Sequence, residues 1–447
     1  MLCEILIIFS VLWLAVHRWH RRRMFALWKQ LKNQYTMLPF IGHAYMFFGS
    51  DEHRMKMFQR LGLESIEKGG IMGLWQGSRF YIMIADPVNA EFVLKTCLEK
   101  DDVMKCSRLL TGNGSVFAPV HIWRPRRKFL APTFSPKNLM NFVKIFSKQS
   151  TVMVDNLKKA AGTGTFPIWK YITSYSMDSV CETTLGVQVN AQKQSALPFL
   201  KAFEEICKMD SARICKPWLQ NESMYRLMPA YTQYMNYKAM LCNFIDQVIK
   251  SKRKSLEEEK QKAEPDQKVD AVKTFLELLI DSSGGEKGFN DVELQEETLV
   301  MVLAGTDTSA AGAAFATVML SKHPDVQDKV YKELQEVFGD SDRPIVAEDL
   351  PRLKYLDAVV KETLRLYPSV PVIVRRVDHD VTLRYQYAMM SIKTALAALL
   401  RKYRILPAST GDRMAHGDKN KPIRVRFDIM MKAMDNFAIQ LQPRFKI

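Results

Sequence analysis

Ala304-Gly305-Thr306-Asp307-Thr308-Ser309 stands inside a long helix-patterned run, and its reading decides the fold. Asn290, with Glu293 three residues on, predicts a reciprocal helix cap. From there the pattern runs to about Lys322, ahead of His323-Pro324. At ~1.5 Å per residue such a helix is on the order of 48 Å long, enough to cross a domain. Its centre is small and polar, while Leu299, Val300, Val302 and Leu303 flank it on one side and Phe315 and Val318 on the other. Small residues suit a close helix–helix crossing. Asp307, however, is costly in a buried helix without a partner or a task. Thr308 can return its hydroxyl to the carbonyl four residues earlier and loosen that turn. A crossing and an acid–alcohol relay therefore both fit the hexapeptide taken alone.

Outward from this helix the chain reads as mainly α with a small β portion, in one domain. Ile71 to Trp75, a turn at Gly77-Ser78 and Phe80 to Ile84 predict a hairpin. Asp86-Pro87 then supplies an N-cap and a first-turn proline for a helix through Leu94. Leu356, Val359, Val360, Thr363, Leu364 and Tyr367 form a helical apolar stripe that Pro368 ends. Glu362 and Arg365 lie off that stripe at a spacing that suits an exposed ion pair. The charge-dense run from Lys250 to Lys268 predicts a solvated helix end and loop.

Composition narrows the class. A chain of 447 residues with 47% hydrophobic and 10% aromatic content is folded rather than disordered. The net charge of +16 is spread along the chain without a nucleic-acid motif, which argues against a nucleic-acid partner. Anionic lipid headgroups or an acidic protein explain it as well. The seven cysteines, Cys3 through Cys242, show no CxxC spacing, and reduced thiols in a cytosol-facing domain fit them. Residues 1–20 predict a membrane signal-anchor, because Arg18, Arg21, Arg22 and Arg23 come after the apolar run and keep the rest of the chain cytoplasmic. A surface-lying amphipathic helix is the alternative. Residues 21–45 form a basic, proline-containing linker, and 46–447 the domain proper.

The order of AGTDTS, then Glu362-Thr363-Leu364-Arg365, then Tyr367-Pro368 resembles the cytochrome P-450 monooxygenases over nearly all of 30–447. The tail Phe427 to Arg444 and the stretch Phe199 to Trp218 look most like insect members of the microsomal family-four clan. The resemblance implies a haem cofactor, the endoplasmic reticulum membrane, an NADPH-cytochrome reductase as electron donor and apolar small-molecule substrates such as fatty acids, hormones or foreign compounds. It assigns Thr308 to the iron-bound oxygen and Asp307 to proton delivery, with Ala304 and Gly305 making room for oxygen. Alanine at 304 excludes the ester link to haem that a glutamate there forms in some relatives. Trp123 and Arg127, placed before Phe129-Leu130-Ala131-Pro132-Thr133-Phe134, resemble the pair that holds haem propionates; a packed cation–π pair is the plainer reading. Arg375, at the end of a strand over Pro371 to Arg375, takes the same task. Ser115, Val116 and Phe117 fall where relatives line the substrate pocket. The resemblance makes Glu362 and Arg365 a structural pair locked onto an arginine of the loop before the axial cysteine.

That loop is the gap. No cysteine follows Cys242, and no glycine lies between Gly339 and Gly411. Family-like sequence runs to Leu383 and resumes at Arg384, where Ile392, Ala395, Leu396, Leu399 and Tyr403 continue a helical stripe. His379 reads as part of a solvated turn, not as a substitute ligand. The chain is expected to carry an internal deletion at 383/384 that removes the thiolate on which oxygen cleavage depends, and so to be inactive as it stands. A non-catalytic ligand- or partner-binding form, or an incomplete gene model of an active enzyme, are the other readings.

Overall fold

The computed structural model describes residues 4–5, 8, 12, 15–16, 18–31, 35–67, 71–193, 198–262, 273–283, 288–376, 396–407 and 422–443. The join at Leu383–Arg384, His379 and the first half of the helix expected after it lie outside these residues. The chain divides into two compact units: Met1–Cys106 with Ser211–Tyr231 and Val374–Thr382, and Ser107–Asp210 with Thr232–Ile373 and Leu383–Ile447.

In the first unit, α1 (Arg22–Gln30) and α2 (Asp51–Glu67) precede the hairpin of β1 (Ile71–Gln76) and β2 (Arg79–Ile84). The strands pair antiparallel from Ile71↔Ile84 to Gln76↔Arg79, as their alternation predicts. Gly77 takes φ +60° in the connecting turn, a conformation glycine adopts without strain. The Asp86 side chain accepts a hydrogen bond from Asn89 N and opens α3 (Pro87–Thr96). Trp75, 1% exposed, stacks on Phe25 of α1 with ring centroids 4.4 Å apart.

The second unit is built around one helix. Among its elements are α4 (Val120–Leu130), α5 (Pro136–Leu157), β3 (Phe166–Pro167), α6 (Trp169–Val180), α7 (Asp291–Lys322), α8 (Pro324–Phe338) and α9 (Lys354–Leu366), then β4 (Tyr403–Pro407), β5 (Val425–Asp428), β6 (Met430–Ala433) and β7 (Ala438–Pro443). The predicted cap of α7 forms in both directions: Glu293 N donates to Asn290 Oδ1 at 2.9 Å and Asn290 N to Glu293 Oε2 at 3.0 Å. Helix α7 is long and apolar enough to cross a membrane, yet 78% of that apolar window is buried inside the protein. It is the core, touched by α6, α8, α9, β4, β6 and β7. Strands β3, β7 and β4 form one antiparallel sheet, and β5–β6 a separate hairpin whose turn residue Ile429 takes φ +63°. Such a φ is strained for a β-branched residue.

One expected element is absent. Pro371 to Arg375 forms no strand, and among the described residues it joins no ladder. A strand needs a neighbour to take its backbone groups. The nearest such bond is Arg376 N to Glu99 O at 2.7 Å, made just past the segment. Residues 396–402 are helical and bury Leu396 and Leu399, but Tyr403 already begins β4.

Candidate functional site

The middle of α7 has two faces. Met301, Ala304, Gly305 and Thr308, at i, i+3, i+4 and i+7, are half-buried, while residues 302, 303, 306, 307 and 309–318 are buried. Such spacing puts the four on one stripe. The acid and the alcohol of the hexapeptide therefore look in different directions: Thr308 lies on the open stripe and Asp307, 5% exposed, on the packed side.

Backbone carbonyls in this turn receive side-chain hydroxyls. Thr308 Oγ1 donates to Ala304 O at 2.6 Å, as its type and position predict. Ser176 Oγ on α6 donates to Thr306 O at 2.8 Å, and Ser369 Oγ to Thr308 O at 2.8 Å. The helix nonetheless stays α-helical throughout this stretch. Gly305 lies at a close crossing with α6, where an added Cβ would come within 2.9 Å of Val180 Cγ2. The crossing explains the glycine on packing grounds alone. Thr306 Oγ1 and Ser309 Oγ are buried without a hydrogen-bond partner among the described residues.

Asp307 has a partner that the local sequence does not announce. Lys432 of β6, 2% exposed, brings its Nζ to 3.3 Å from Asp307 Oδ2. The same ammonium sits 4.9 Å from the centroid of the Trp169 ring, a favourable seat for a cation. Arg426 closes the cluster, pairing Nε with Asp428 Oδ2 at 2.8 Å and Nη2 with Glu204 Oε1 at 3.2 Å. Burial pushes the Asp307 carboxyl up, and Lys432 pulls it partly back. Burial also opposes charge on Lys432, but Asp307, Cys207, Glu204 and Asp428 outweigh it and hold the ammonium above its ordinary value.

The region before α4 is tied to the first turns of α7 by acids. Glu297, 1% exposed, accepts Ser115 N at 3.2 Å, Ser115 Oγ at 2.9 Å and Arg126 Nη1 at 2.9 Å. Glu293 accepts Arg126 Nη2 at 2.5 Å, and Glu296 accepts Asn113 N at 3.0 Å. Ser115 is thus occupied in fastening its loop, while Val116 and Phe117 follow it in the same turn. Of two adjacent arginines, Arg126 is the buried one and Arg127 is exposed. Trp123 is half-buried, and no ring–guanidinium contact joins it to Arg127 among the described residues.

Arg375 belongs to the first unit, and the other candidates belong to the second. Its Nη1 donates to the adjacent Val374 O, at 3.1 Å. Burial pulls its guanidinium below the usual range. Burial, aided by Arg375, takes Lys100 down to about 8. Glu362 and Arg365 form a two-pronged pair, both bonds 2.7 Å, with side chains 57% and 67% exposed. The exposed-pair reading of their spacing is the one the structure contains.

Six cysteines are described, five buried and Cys242 half-buried. Burial pushes the thiols of Cys181, Cys207 and Cys242 up, and Cys215 up to about 12. Cys106 Sγ donates to Val103 O at 2.9 Å. Among the described residues no group of three or more His, Cys, Asp or Glu side chains is placed to hold a metal ion.

Residues 33–387 match the family model described as Cytochrome P450. Cytochrome P450 4d2 of Drosophila melanogaster is 29% identical, over 78% of this chain and 71% of that protein. Cytochrome P450 4c21 of Blattella germanica is 30% identical, over 77% and 70%. Human Cytochrome P450 4V2 is 30% identical, over 79% and 69%.

Proposed function

Since the chain belongs to the cytochrome P450 family, whose members are haem monooxygenases, we propose that it descends from a membrane-anchored oxygenase of apolar substrates but lacks the axial thiolate and is not a working one. The observation that carries this reading is the bare Glu362–Arg365 pair. Family resemblance gives the pair a third partner, an arginine from the loop before the cysteine. Here the two side chains are more than half exposed and, among the described residues, bind each other alone.

The cysteines point the same way. A haem-thiolate enzyme needs a deprotonated sulfur. Burial weakens the acidity of the Cys181, Cys207, Cys215 and Cys242 thiols, and no cysteine follows Cys242, where the resemblance places the axial ligand. The residues present do not fit a thiolate-held haem, so no catalytic step is assigned to Asp307 and Thr308 in this chain. Trp123, Arg127 and Arg375 keep the residue types suited to propionates, and Ala304 with Thr308 the open stripe of α7. These are what a restored loop would work with. The family match ends at residue 387, beside the expected join.

Anchoring by residues 1–20 in the endoplasmic reticulum membrane, domain to the cytosol, is supported by exposed Ile5, Ile8, Leu12, Val16 and Trp19. A reductase partner is expected only of the form with the loop restored. Two experiments test the reading. Reduced protein treated with carbon monoxide is expected to lack the thiolate-haem absorption band, and its appearance from this 447-residue chain would refute the proposal. Transcripts sequenced across Leu383–Arg384 separate a real loop-less isoform, which retains its anchor and binds a ligand or partner, from an incomplete record of an active enzyme.

A further inference from the structure

Among the described residues, the hairpin of the first unit has one covered edge and one open edge. On β1, Trp75 turns its backbone away from β2 and toward His43. His43 N donates to Trp75 O at 2.6 Å, and Trp75 N donates to His43 Nδ1 at 2.9 Å. Gly42 bridges to Gln76, and Gly77 N donates to Ile41 O at 3.0 Å, so residues 41–43 cap this edge. Trp75 lies opposite Phe80 in the ladder. The pair is therefore one that exchanges no bonds, and Phe80 points its own N–H and C=O outward from β2. Alternation repeats this at Ile82 and Ile84. No described residue bonds these outward groups.

The side chains along this edge suit a further strand. Phe80-Tyr81-Ile82-Met83-Ile84 is aromatic or apolar throughout, with no charge and no proline, and Ile82 is 45% exposed. Natural sheets shield such edges with charge, proline or a bulge, and an unshielded one templates pairing. The edge also complements itself. Two copies set antiparallel about Ile82 place Phe80 against Ile84 of the second copy, and Ile82 against Ile82. Each such pair exchanges both of its N–H···O bonds, so the outward groups of Phe80, Ile82 and Ile84 are all satisfied. No like charges meet in this register, and at either end Arg79 comes beside Asp86 of the second copy. Within its own chain Arg79 holds Asp101 only loosely, at 3.8 Å. A two-fold contact of this kind closes on itself and stops at a dimer.

We propose that two copies of this chain dimerise by pairing their β2 strands antiparallel about Ile82. The full chain in mild detergent, with micelles in excess, is expected to show a concentration-dependent monomer–dimer equilibrium in sedimentation, because an edge contact is small. Ile82→Lys sets two ammonium groups against each other on the two-fold axis and is expected to raise the dissociation constant on the order of tenfold. Ile82→Pro deletes the central outward N–H, which no bond within the hairpin uses, and is expected to abolish the dimer. Far-ultraviolet circular dichroism checks that both variants are folded. Phe92→Lys, on α3 and 66% exposed, adds the same charge away from the edge and is expected to leave the dimer intact. Oxidation of Ile82→Cys is expected to give a covalent dimer, since directly opposed residues lie ~5.5 Å apart at Cα, within disulfide reach. A monomer at every concentration, a dimer that persists in folded I82K and I82P, or equal losses in F92K and I82K would each overturn the proposal. In the double variant I82C/V374C, a bridge within one chain would give the edge to the chain's own 371–375 segment and overturn it as well.

Discussion

Replacing Lys432 by methionine tests whether Asp307 is held by its buried ion pair. Both side chains are almost fully enclosed, 2% and 5% exposed, so solvent screening gives little relief. Removing one partner of a buried pair typically costs about 3–5 kcal/mol. The pH sets a second bound. A carboxyl left alone can take up a proton, and at pH 7 that costs at most ~4 kcal/mol, from a reference near 3.9 at ~1.4 kcal/mol per unit. The two figures agree, and the second predicts a slope. Burial raises the Asp307 carboxyl in the native protein, and losing Lys432 raises it further. Above the unfolded value the native state of the variant then binds the extra proton, so its deficit grows as pH rises and vanishes below about pH 4. Urea unfolding of K432M, followed by far-ultraviolet circular dichroism between pH 5 and pH 8, measures this directly. The double variant D307N/K432M removes the uncompensated charge and is expected to recover most of the loss. A K432M deficit below about 1 kcal/mol with no pH slope, or a double variant as unstable as the single one, would refute the reasoning.

Other consequences can be checked independently. Gly305→Val pushes a branched side chain into Val180 across the α6–α7 crossing, and overpacking of this kind costs about 1–3 kcal/mol; adding Val180→Ala should restore part of it in the same unfolding assay. Arg126→Met strands Glu297, which is 1% exposed, and is expected to destabilise by about 3–5 kcal/mol, whereas Arg127→Met next door leaves stability unchanged. Glu362→Ala and Arg365→Ala should each leave the thermal midpoint where it is, because the pair is open to solvent; a clear drop would mean that the pair is structural after all.

Much of the fold could be read from the chain because its signals are local. The Asn290–Glu293 cap, the Asp86-Pro87 helix start and the 71–84 hairpin depend on residues a few positions apart. The Thr308 hydroxyl bond spans a single turn. The partners that define the site do not announce themselves in this way. Lys432 meets Asp307 from a hairpin more than a hundred positions later, and an isolated lysine in Met430-Met431-Lys432-Ala433 reads as an ordinary strand residue. Nothing in Arg126-Arg127 tells which guanidinium turns inward; that choice is made by Glu293 and Glu297 on another helix. The strand expected over Pro371 to Arg375 is implied by the family resemblance, and a resemblance cannot supply a ladder partner. Ser176 and Ser369 were equally silent, since hydroxyls that donate to distant carbonyls leave no periodic trace.

Those hydroxyls have a mechanical consequence. Ser176 grips Thr306 O from one neighbouring segment, and Ser369 grips Thr308 O from another. A turn of α7 by ~20° about its axis would carry its backbone sideways by about 0.8 Å at a ~2.3 Å radius, enough to spoil hydrogen bonds whose geometry is narrow. The helix is therefore keyed like a shaft in its bearing. It can travel only with α6 and the segment after α9, and amide hydrogen exchange around Ala304 to Thr308 should slow or quicken in step with theirs.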